Sequence, residues 1–255
     1  MTHATNWIFL RGLTREARHW GSFTAQFEAK LGLSKVTVLD LPGNGEFNAQ
    51  ASPLTVEDTV TFVRQQLLAQ GIQPPYQLLA MSLGGMVATC WAQRYPDEVS
   101  RLVLINTSMR PFSGITQRLQ PDQWLPLLAL AARWNDADHA ERTIHRITCN
   151  HAAQRDADLM AWQRIRRSAP VSRANALRQL MAASRFACAL QTPRCPALVL
   201  SSSADRLVST LCSTHLATAW QVSHHIHPWA GHDLPHDDGP WVCARVADWT
   251  MLLNQ

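Results

Sequence analysis

The sequence predicts an α/β protein with a mostly parallel central sheet that is covered by helices on both faces. Short apolar runs recur along the chain, and their continuous hydrophobic character is typical of strands buried on both faces. Between them lie segments whose apolar residues recur at helical spacing. This alternation predicts parallel strands joined by helical crossovers. At 255 residues, the chain is long enough to bury a sizeable core.

The first half of the chain supplies strands and helices in regular order. A buried strand is predicted to end at an Arg-Gly turn, and the next strand precedes a P-G-N-G segment that is dense in turn residues. Helical spacing follows, with Gly71 as the expected stop. The predicted strands are 7–10, 36–40, 77–81 and 102–106, and the predicted helices are 54–70 and the segment from 83 to Pro96.

In the second half of the chain, a long helical segment separates the early strands from the last ones. Residues 111–190 contain no convincing strand and are predicted to form several helices, which carry about half of the arginines. We therefore expect 1–110 and 191–255 to form one α/β core and 111–190 to be a helical cap inserted into it. The remaining predicted elements are a strand at 197–201, a weaker strand at 224–228 and a closing helix at 240–253.

The charge composition is unlike that of a nucleic-acid-binding protein. The formal net charge is +4, and Lys30 and Lys35 are the only lysines among 23 cationic residues. The arginines are spread singly, with Arg166 and Arg167 as the only adjacent pair. A nucleic-acid site would cluster such charges with aromatic residues between them. We therefore expect a solvated, ion-paired surface and no nucleic-acid partner.

Cysteine spacing and hydropathy bear on cofactors and location. The six cysteines include no C-x-x-C pair, which argues against a zinc site or a redox pair. No apolar run approaches the roughly 20 residues that span a bilayer. The first residues lack a cationic region followed by a long apolar one, so no secretory signal is expected. The sequence predicts a soluble, cytoplasmic protein with free thiols.

Ser82 lies between the predicted strand at 77–81 and the helix that follows it. The local sequence is A-M-S-L-G-G, and a sharp strand-to-helix turn would expose the hydroxyl while small neighbours let the two elements approach. The backbone amide of Leu83 at the helix start could then face a developing oxyanion. These features indicate a nucleophile; the alternative is that Ser82 merely begins the helix.

His232 is the best candidate for the base that activates such a serine. It lies in a turn-rich W-A-G-H-D-L-P loop after the last predicted strand, where the preceding glycine permits a tight loop. His236 lies four residues later and is its competitor.

Asp205 completes the expected set because it follows the strand at 197–201. Ligands of open α/β sheets bind at the carboxyl ends of the strands, where this carboxylate would lie. The alternative is that Asp205 caps a helix that begins near Val208. The chain order is Ser82, Asp205, His232, each beyond a predicted strand, which favours a nucleophile–acid–base triad.

With these residues in view, the chain resembles the α/β-hydrolase superfamily over nearly its whole length, in the manner of serine carboxylesterases with a helical lid. The segment 111–190 lies where that family inserts its lid. The similar motifs are Arg11-Gly12-Leu13 at the oxyanion turn, 40–45 at the D-x-P-G-H-G loop, 80–84 at the nucleophile elbow, Asp205 with Val208 at the acid motif, and Gly231-His232 at the base loop.

Three positions depart from the family pattern. Ala80 replaces the first elbow glycine, which the tight turn should tolerate, and Asn44 replaces the histidine of the P-G-H-G loop. Arg11 replaces the histidine of the oxyanion turn and is expected either to add positive charge at the pocket mouth or to form a salt bridge inside the fold. The resemblance implies that the amides of Leu13 and Leu83 form the oxyanion hole.

The resemblance also implies an activity. It points to two-step acyl transfer through Ser82 on a small ester or thioester substrate, with no metal and no organic cofactor. A lid rich in Trp and Leu suggests an apolar acyl or alcohol pocket with Trp124 as a candidate contact, and Arg11 could bind a carboxylate or phosphate on the substrate. The alternatives are a C–C bond hydrolase or lyase with the same triad, and a non-catalytic ligand-binding protein of the same fold.

Overall fold

A parallel six-stranded sheet forms the centre of the computed structural model, which describes residues 6–33 and 35–254. The strand order is β2-β1-β3-β4-β5-β6, and every neighbouring pair is parallel. The predicted α/β fold is confirmed. The strands are β1 (Asn6–Leu10), β2 (Thr37–Leu39), β3 (Tyr76–Met81), β4 (Val99–Ile105), β5 (Ala197–Ser202) and β6 (Ser223–His227).

Helices follow each strand of the sheet and cover both of its faces. Short 3₁₀ turns lie at Ala17–Trp20, Gly45–Phe47, Pro121–Gln123 and Ala152–Gln154. The α-helices are α1 (Phe23–Leu31), α2 (Val56–Ala69), α3 (Leu83–Arg94), α4 (Ile115–Arg118), α5 (Trp124–Ala132), α6 (Ala137–Thr148), α7 (Arg155–Ser168), α8 (Arg173–Arg185), α9 (Leu211–Trp220), α10 (Leu234–Asp237) and α11 (Gly239–Leu253).

Two hydrophobic layers hold the sheet between its helices. On one face, α2, α3 and α9 pack against the sheet through residues such as Val60, Trp91 and Leu216. On the other face, α1 and α11 pack through Phe27 and Trp249. Strands β3 and β5 are buried along their whole length and β1 and β4 along most of it, so their sequences are largely apolar and were predictable. The edge strand β6 is mostly exposed and polar, which is why its signal was weaker.

The chain between β4 and β5 forms five α-helices, α4 to α8, and no strand. These helices have a hydrophobic cluster of their own, which includes Leu130, Trp134 and Ile144. The strands of the sheet all lie outside residues 111–190. Within the described residues, no helix combines the length and apolar character needed to cross a membrane.

Element boundaries shift by a few residues from the predicted ones for identifiable reasons. Helix α2 begins at Val56 rather than 54 because the Thr55 side chain accepts a hydrogen bond from the Asp58 amide and caps it. Strand β4 begins at Val99 rather than 102 because Val99 pairs with Tyr76 of β3. It ends before Asn106, which has a positive φ of 44°.

We expect Gly84→Ala to destabilise the fold. A Cβ built at Gly84 would lie 2.5 Å from the Leu10 carbonyl oxygen and 2.6 Å from that of Arg11, so α3 must move away from β1. Such overpacking costs about 1–3 kcal/mol. Urea denaturation should show this loss in Gly84→Ala, whereas Gly114→Ala is the matched control because nothing lies within 4 Å of its Cβ position. Equal midpoints for the two variants would contradict the close approach.

Candidate active site

Ser82 occupies a sharp turn between β3 and α3. Its backbone has a φ of 52° and a ψ of −120°, which is unfavourable for a residue with a side chain. Two hydrogen bonds hold this conformation: the Ser82 amide donates to the Ile105 carbonyl (3.0 Å), and the Thr107 hydroxyl donates to the Ser82 carbonyl (2.8 Å). The side chain remains partly exposed at the carboxyl edge of the sheet.

The turn that follows β1 lies directly against Ser82. A Cβ built at Gly12 would be 3.0 Å from the Ser82 Cβ and 3.5 Å from its Oγ, so a larger residue here would crowd the serine side chain. Leu13 follows in the same turn, and Leu83 is the first residue of α3, where the amide has no acceptor within the helix. Of the two residues predicted to form the oxyanion hole, Leu83 therefore follows Ser82 in the chain, and Leu13 follows Gly12, which lies against Ser82.

Asp205 and His232 form a buried pair. The His232 Nδ1 and the Asp205 Oδ2 atoms are 2.7 Å apart. The other oxygen, Oδ1, accepts hydrogen bonds from the amides of Leu207 and Val208 (2.8 and 2.9 Å). Asp205 thus orders the turn at Leu207 and Val208 with one oxygen and holds the imidazole with the other. The alternative role as a helix cap is wrong, because α9 begins only at Leu211 and Thr210 is its N-cap.

The environment of His232 favours its protonated form. Burial by itself would lower the pKa of His232, but the carboxylate of Asp205 outweighs that effect, and Asp233 acts in the same direction. The pKa of His232 therefore lies above its ordinary value. An imidazole held in this way can accept a proton and stabilise the resulting charge against Asp205.

Asn106 links the serine elbow to the histidine loop. Its side-chain amide donates to the His232 carbonyl (2.8 Å), and it directly follows Ile105, whose carbonyl accepts the Ser82 amide. Within the residues that the structure describes, no hydrogen bond joins the Ser82 Oγ to the His232 ring. Such bonds are often long in ligand-free enzymes and tighten when substrate binds.

Arg11 lies inside the protein, with only 2% of its surface exposed. Its guanidinium forms a bidentate ion pair with Asp233, at 3.0 Å to Oδ1 and 2.6 Å to Oδ2, and lies over the Trp20 ring. Of the two expectations for Arg11, a positive charge at the pocket mouth is therefore wrong, and a salt bridge inside the fold is confirmed. Burial raises the pKa of Asp233, but Arg11 outweighs burial and keeps that pKa below its usual value.

Trp124 begins helix α5 and is 42% exposed. Its indole nitrogen donates to the Leu119 carbonyl at 3.1 Å. In the part of the chain that the structure describes, no hydrogen bond joins its side chain to Ser82, Asp205 or His232.

Gln179 is a site residue that the sequence did not indicate. It lies on α8, where its Oε1 accepts the Thr14 amide (2.9 Å) and its Nε2 donates to the Asn44 side chain (2.8 Å). One side chain thus fixes the turn that carries Leu13 and the loop that carries Asn44. Its partners lie more than 100 residues away in the chain, so no local sequence pattern could have predicted that Gln179 contacts them.

We expect Asp233→Asn to destabilise the protein strongly, because it leaves the Arg11 guanidinium buried without a counter-charge. Breaking a buried pair costs about 3–5 kcal/mol. Chemical denaturation should show this loss, and the control Asp248→Asn should cost under about 1 kcal/mol because its partner Arg245 lies at the surface. The double variant Arg11→Met/Asp233→Leu should recover most of the stability. A stable Asp233→Asn protein would show that the pair is unimportant.

Comparisons with known proteins agree with this architecture. The family model for the alpha/beta hydrolase fold matches residues 32–239. The chain is similar to the enol-lactonase from Burkholderia xenovorans LB400, with a TM-score of 0.79, 18% identity, and coverage of 97% of this chain and 92% of that one. It is also similar to a thermophilic esterase from Thermogutta terrifontis, with a TM-score of 0.74, 20% identity, and coverage of 98% and 91%.

Curated relatives show similarity over different lengths. A pimeloyl-[acyl-carrier protein] methyl ester esterase of Chromobacterium violaceum is 38% identical over 92 residues, which is 36% of this chain and 34% of that protein. The match to the biotin biosynthesis bifunctional protein BioHC of Teredinibacter turnerae spans only 17% of that protein. A putative carbamate hydrolase, RutD, of Shigella flexneri is 26% identical over 229 residues, 88% of this chain and 83% of that one. The family match, the parallel sheet and the strand-to-helix turn at Ser82 together show that the chain belongs to the α/β-hydrolase fold family.

Proposed function

We propose that the chain is a serine hydrolase that cleaves a carboxylic ester or a thioester by two-step acyl transfer through Ser82. The observation that carries this proposal is the buried His232–Asp205 pair, 2.7 Å long, at the sheet edge where Ser82 is held in its strained elbow. Ser82, Asp205 and His232 follow β3, β5 and β6, respectively, so all three lie at the carboxyl ends of parallel strands.

The proposed reaction begins when His232 accepts the Ser82 proton and the serine oxygen attacks the substrate carbonyl. The leaving group departs with the proton from His232, and an acyl-serine remains. Water then attacks the acyl carbon while His232 removes its proton; His232 passes that proton to the Ser82 oxygen as the Ser82–acyl bond breaks, which releases the acid and restores the serine. Asp205 stabilises the positively charged imidazole in both steps, and the mechanism requires no metal or cofactor.

The negative charge that develops on the substrate oxygen would be stabilised by the amides of Leu13 and Leu83. The approach of Gly12 to Ser82 supports this role, because it brings the first turn against the nucleophile. Gln179 supports it further by holding the Thr14 amide, which keeps that turn in place. Fixed amide donors of this kind commonly supply about 3–4 kcal/mol of transition-state stabilisation.

Helices α4 to α8 would serve as the lid over this site. Helix α8 supports the proposal because its Gln179 and Ala182 line a small cavity together with Leu83 and Leu41. Helix α5 exposes apolar residues, with Leu125 at 78% and Leu128 at 67%, next to Trp124. We infer an apolar acyl or alcohol group as the favoured substrate portion. Arg11 would act by fixing Asp233, beside the base, rather than by touching substrate.

Carbamate cleavage is the second candidate, favoured by the match to the putative carbamate hydrolase over 88% of this chain. The same triad could attack its carbonyl. A panel of an ester, a thioester, a carbamate and a vinylogous diketone, each bearing the same apolar group, separates the candidates by kcat/KM. We expect the ester or the thioester to be the best substrate of the four.

Ser82→Ala should abolish most turnover because it removes the attacking oxygen. We expect hydrolysis of a p-nitrophenyl ester to fall by at least ~10³-fold. A fluorophosphonate probe should label the wild type at Ser82 and leave the variant unlabelled. Ser184→Ala is the control, since its hydroxyl only contacts the Met181 carbonyl on the lid helix. Near-full activity in Ser82→Ala would refute the nucleophile, and an unlabelled wild type would favour a non-catalytic binding protein.

The pH dependence should report the raised pKa of His232. The base must be neutral to accept the serine proton, so kcat/KM should fall as the pH drops through that pKa. Asp205 and Asp233 raise the pKa, whereas burial and Arg11 lower it, and the net direction is upward. We therefore expect the acid limb to inflect above about 6.5, the ordinary histidine value. In Asp205→Asn the residual activity should inflect at lower pH; an unchanged inflection would exclude His232 as the titrating base.

A further inference from the structure

A second cluster of potential ligands lies outside the proposed triad, between helices α6, α7 and α10. His145 and Cys149 belong to the end of α6 and the residue after it, and His236 belongs to α10. One ligand atom from each of these three residues lies within 4.8 Å of the other two. We propose that this His145–Cys149–His236 cluster is a binding site for a divalent transition metal, with Zn²⁺ as the best-suited ion.

The donor set suits zinc. Two imidazole nitrogens and one thiolate are borderline-soft ligands, which zinc prefers over the oxygen ligands of magnesium and calcium. Tetrahedral zinc with bonds of about 2.0–2.3 Å brings its ligand atoms roughly 3.5 Å apart. The ligand atoms of the cluster lie up to about 1.3 Å farther apart than that, so small side-chain rotations would bring them onto the ion. As the ion binds, the Cys149 thiol gives its proton to solvent, and the thiolate forms the metal bond.

Asp158 of α7 holds the two histidine rings. Its Oδ2 lies 3.1 Å from the Nε2 of His145 and 2.9 Å from the Nε2 of His236. A carboxylate that supports histidine rings in this way is characteristic of metal-binding histidines. Trp162 contacts both rings, with centroids 5.3 and 5.2 Å away, and forms an apolar wall around the cluster.

An ion would bind the ring nitrogens that do not face Asp158. The Nε2 atoms of both histidines face that carboxylate, which leaves the Nδ1 atoms as the metal ligands. The buried Cys149 sulfur has a weak contact with the Thr148 hydroxyl at 3.6 Å. A bound cation would give this sulfur a stronger partner.

The position of the cluster gives the ion a structural consequence. His145 and Cys149 lie in the segment between β4 and β5, whereas His236 lies four residues after His232. The two parts already meet where the Asp233 amide donates to the Thr148 carbonyl (2.8 Å) and where Asp237 accepts the amides of Gly231 and His151. A metal ion would add a bond between α6 and the loop that carries His232.

Cobalt substitution and calorimetry test the site in the full-length protein after chelator treatment. We expect one equivalent of Co²⁺ to give a near-ultraviolet thiolate-to-cobalt charge-transfer band that Zn²⁺ abolishes, and Zn²⁺ to raise the melting temperature. Cys149→Ser should lose the band, and His236→Gln should raise the calorimetric Kd for Co²⁺ at least tenfold. Cys195→Ser and His225→Gln are matched controls outside the cluster and should bind as the wild type does.

The readouts do not involve hydrolysis, so they stand apart from the assignment of Ser82. Absence of the thiolate band in the wild type would overturn the proposal without any variant. The proposal would also be wrong if both Cys149→Ser and His236→Gln bound one equivalent of Co²⁺ as tightly as the wild type, since the ion would then lie elsewhere. Circular dichroism of the metal-free variants establishes their folding; if His236→Gln does not fold, loss of the band in Cys149→Ser decides.

Discussion

The close contact between the start of α3 and the end of β1 is the constraint on which the candidate site depends. Gly84 lies against the carbonyls of Leu10 and Arg11 and has no room for a side chain, and Gly12 lies tightly against the Ser82 side chain. These contacts couple three features: the strained Ser82 backbone, the first amide of α3, and the turn that carries Leu13. Because the Gly84 contact is made with backbone atoms, α3 and the end of β1 hold each other in place.

Buried ion pairs extend this rigidity from the sheet to the surrounding loops and helices. Arg11 pairs with Asp233, the residue after His232, and Arg15 and Arg166 both pair with Glu141 of α6 (2.7 and 3.1 Å). Removing such charges from water is costly, so these pairs contribute little net stability, and their geometry is exacting. We interpret these pairs as fixing the loop that carries His232 and helix α6 around the turn that follows β1.

Local sequence predicted the sheet and indicated Ser82, Asp205 and His232 as candidates, but it did not reveal the interactions that support them. Apolar runs marked the inner strands because both of their faces are buried, and the three candidates stood out because each follows a strand. The partners of Arg11 and Gln179 lie 222 and 165 residues away, and contacts at that separation leave no local pattern. Cysteine spacing argued against a metal because the proposed cluster contains a single cysteine, and its third ligand, His236, lies 87 residues after Cys149.

Under the proposed mechanism, the anchoring of the lid restricts where substrate can enter. Helix α8 is tied to the first turn through Gln179, and the residues after α6 are tied to the base loop through Asp237, so displacing either helix would also disturb the catalytic groups. Among the described residues, helix α5 makes no hydrogen bond to the first turn or to the His232 loop, and it exposes Leu125 and Leu128. Its N-terminal end is anchored near Asp205, because Gln120 donates to the Asp205 carbonyl (2.7 Å). An apolar substrate would therefore enter past the exposed face of α5 rather than by displacement of α6 or α8.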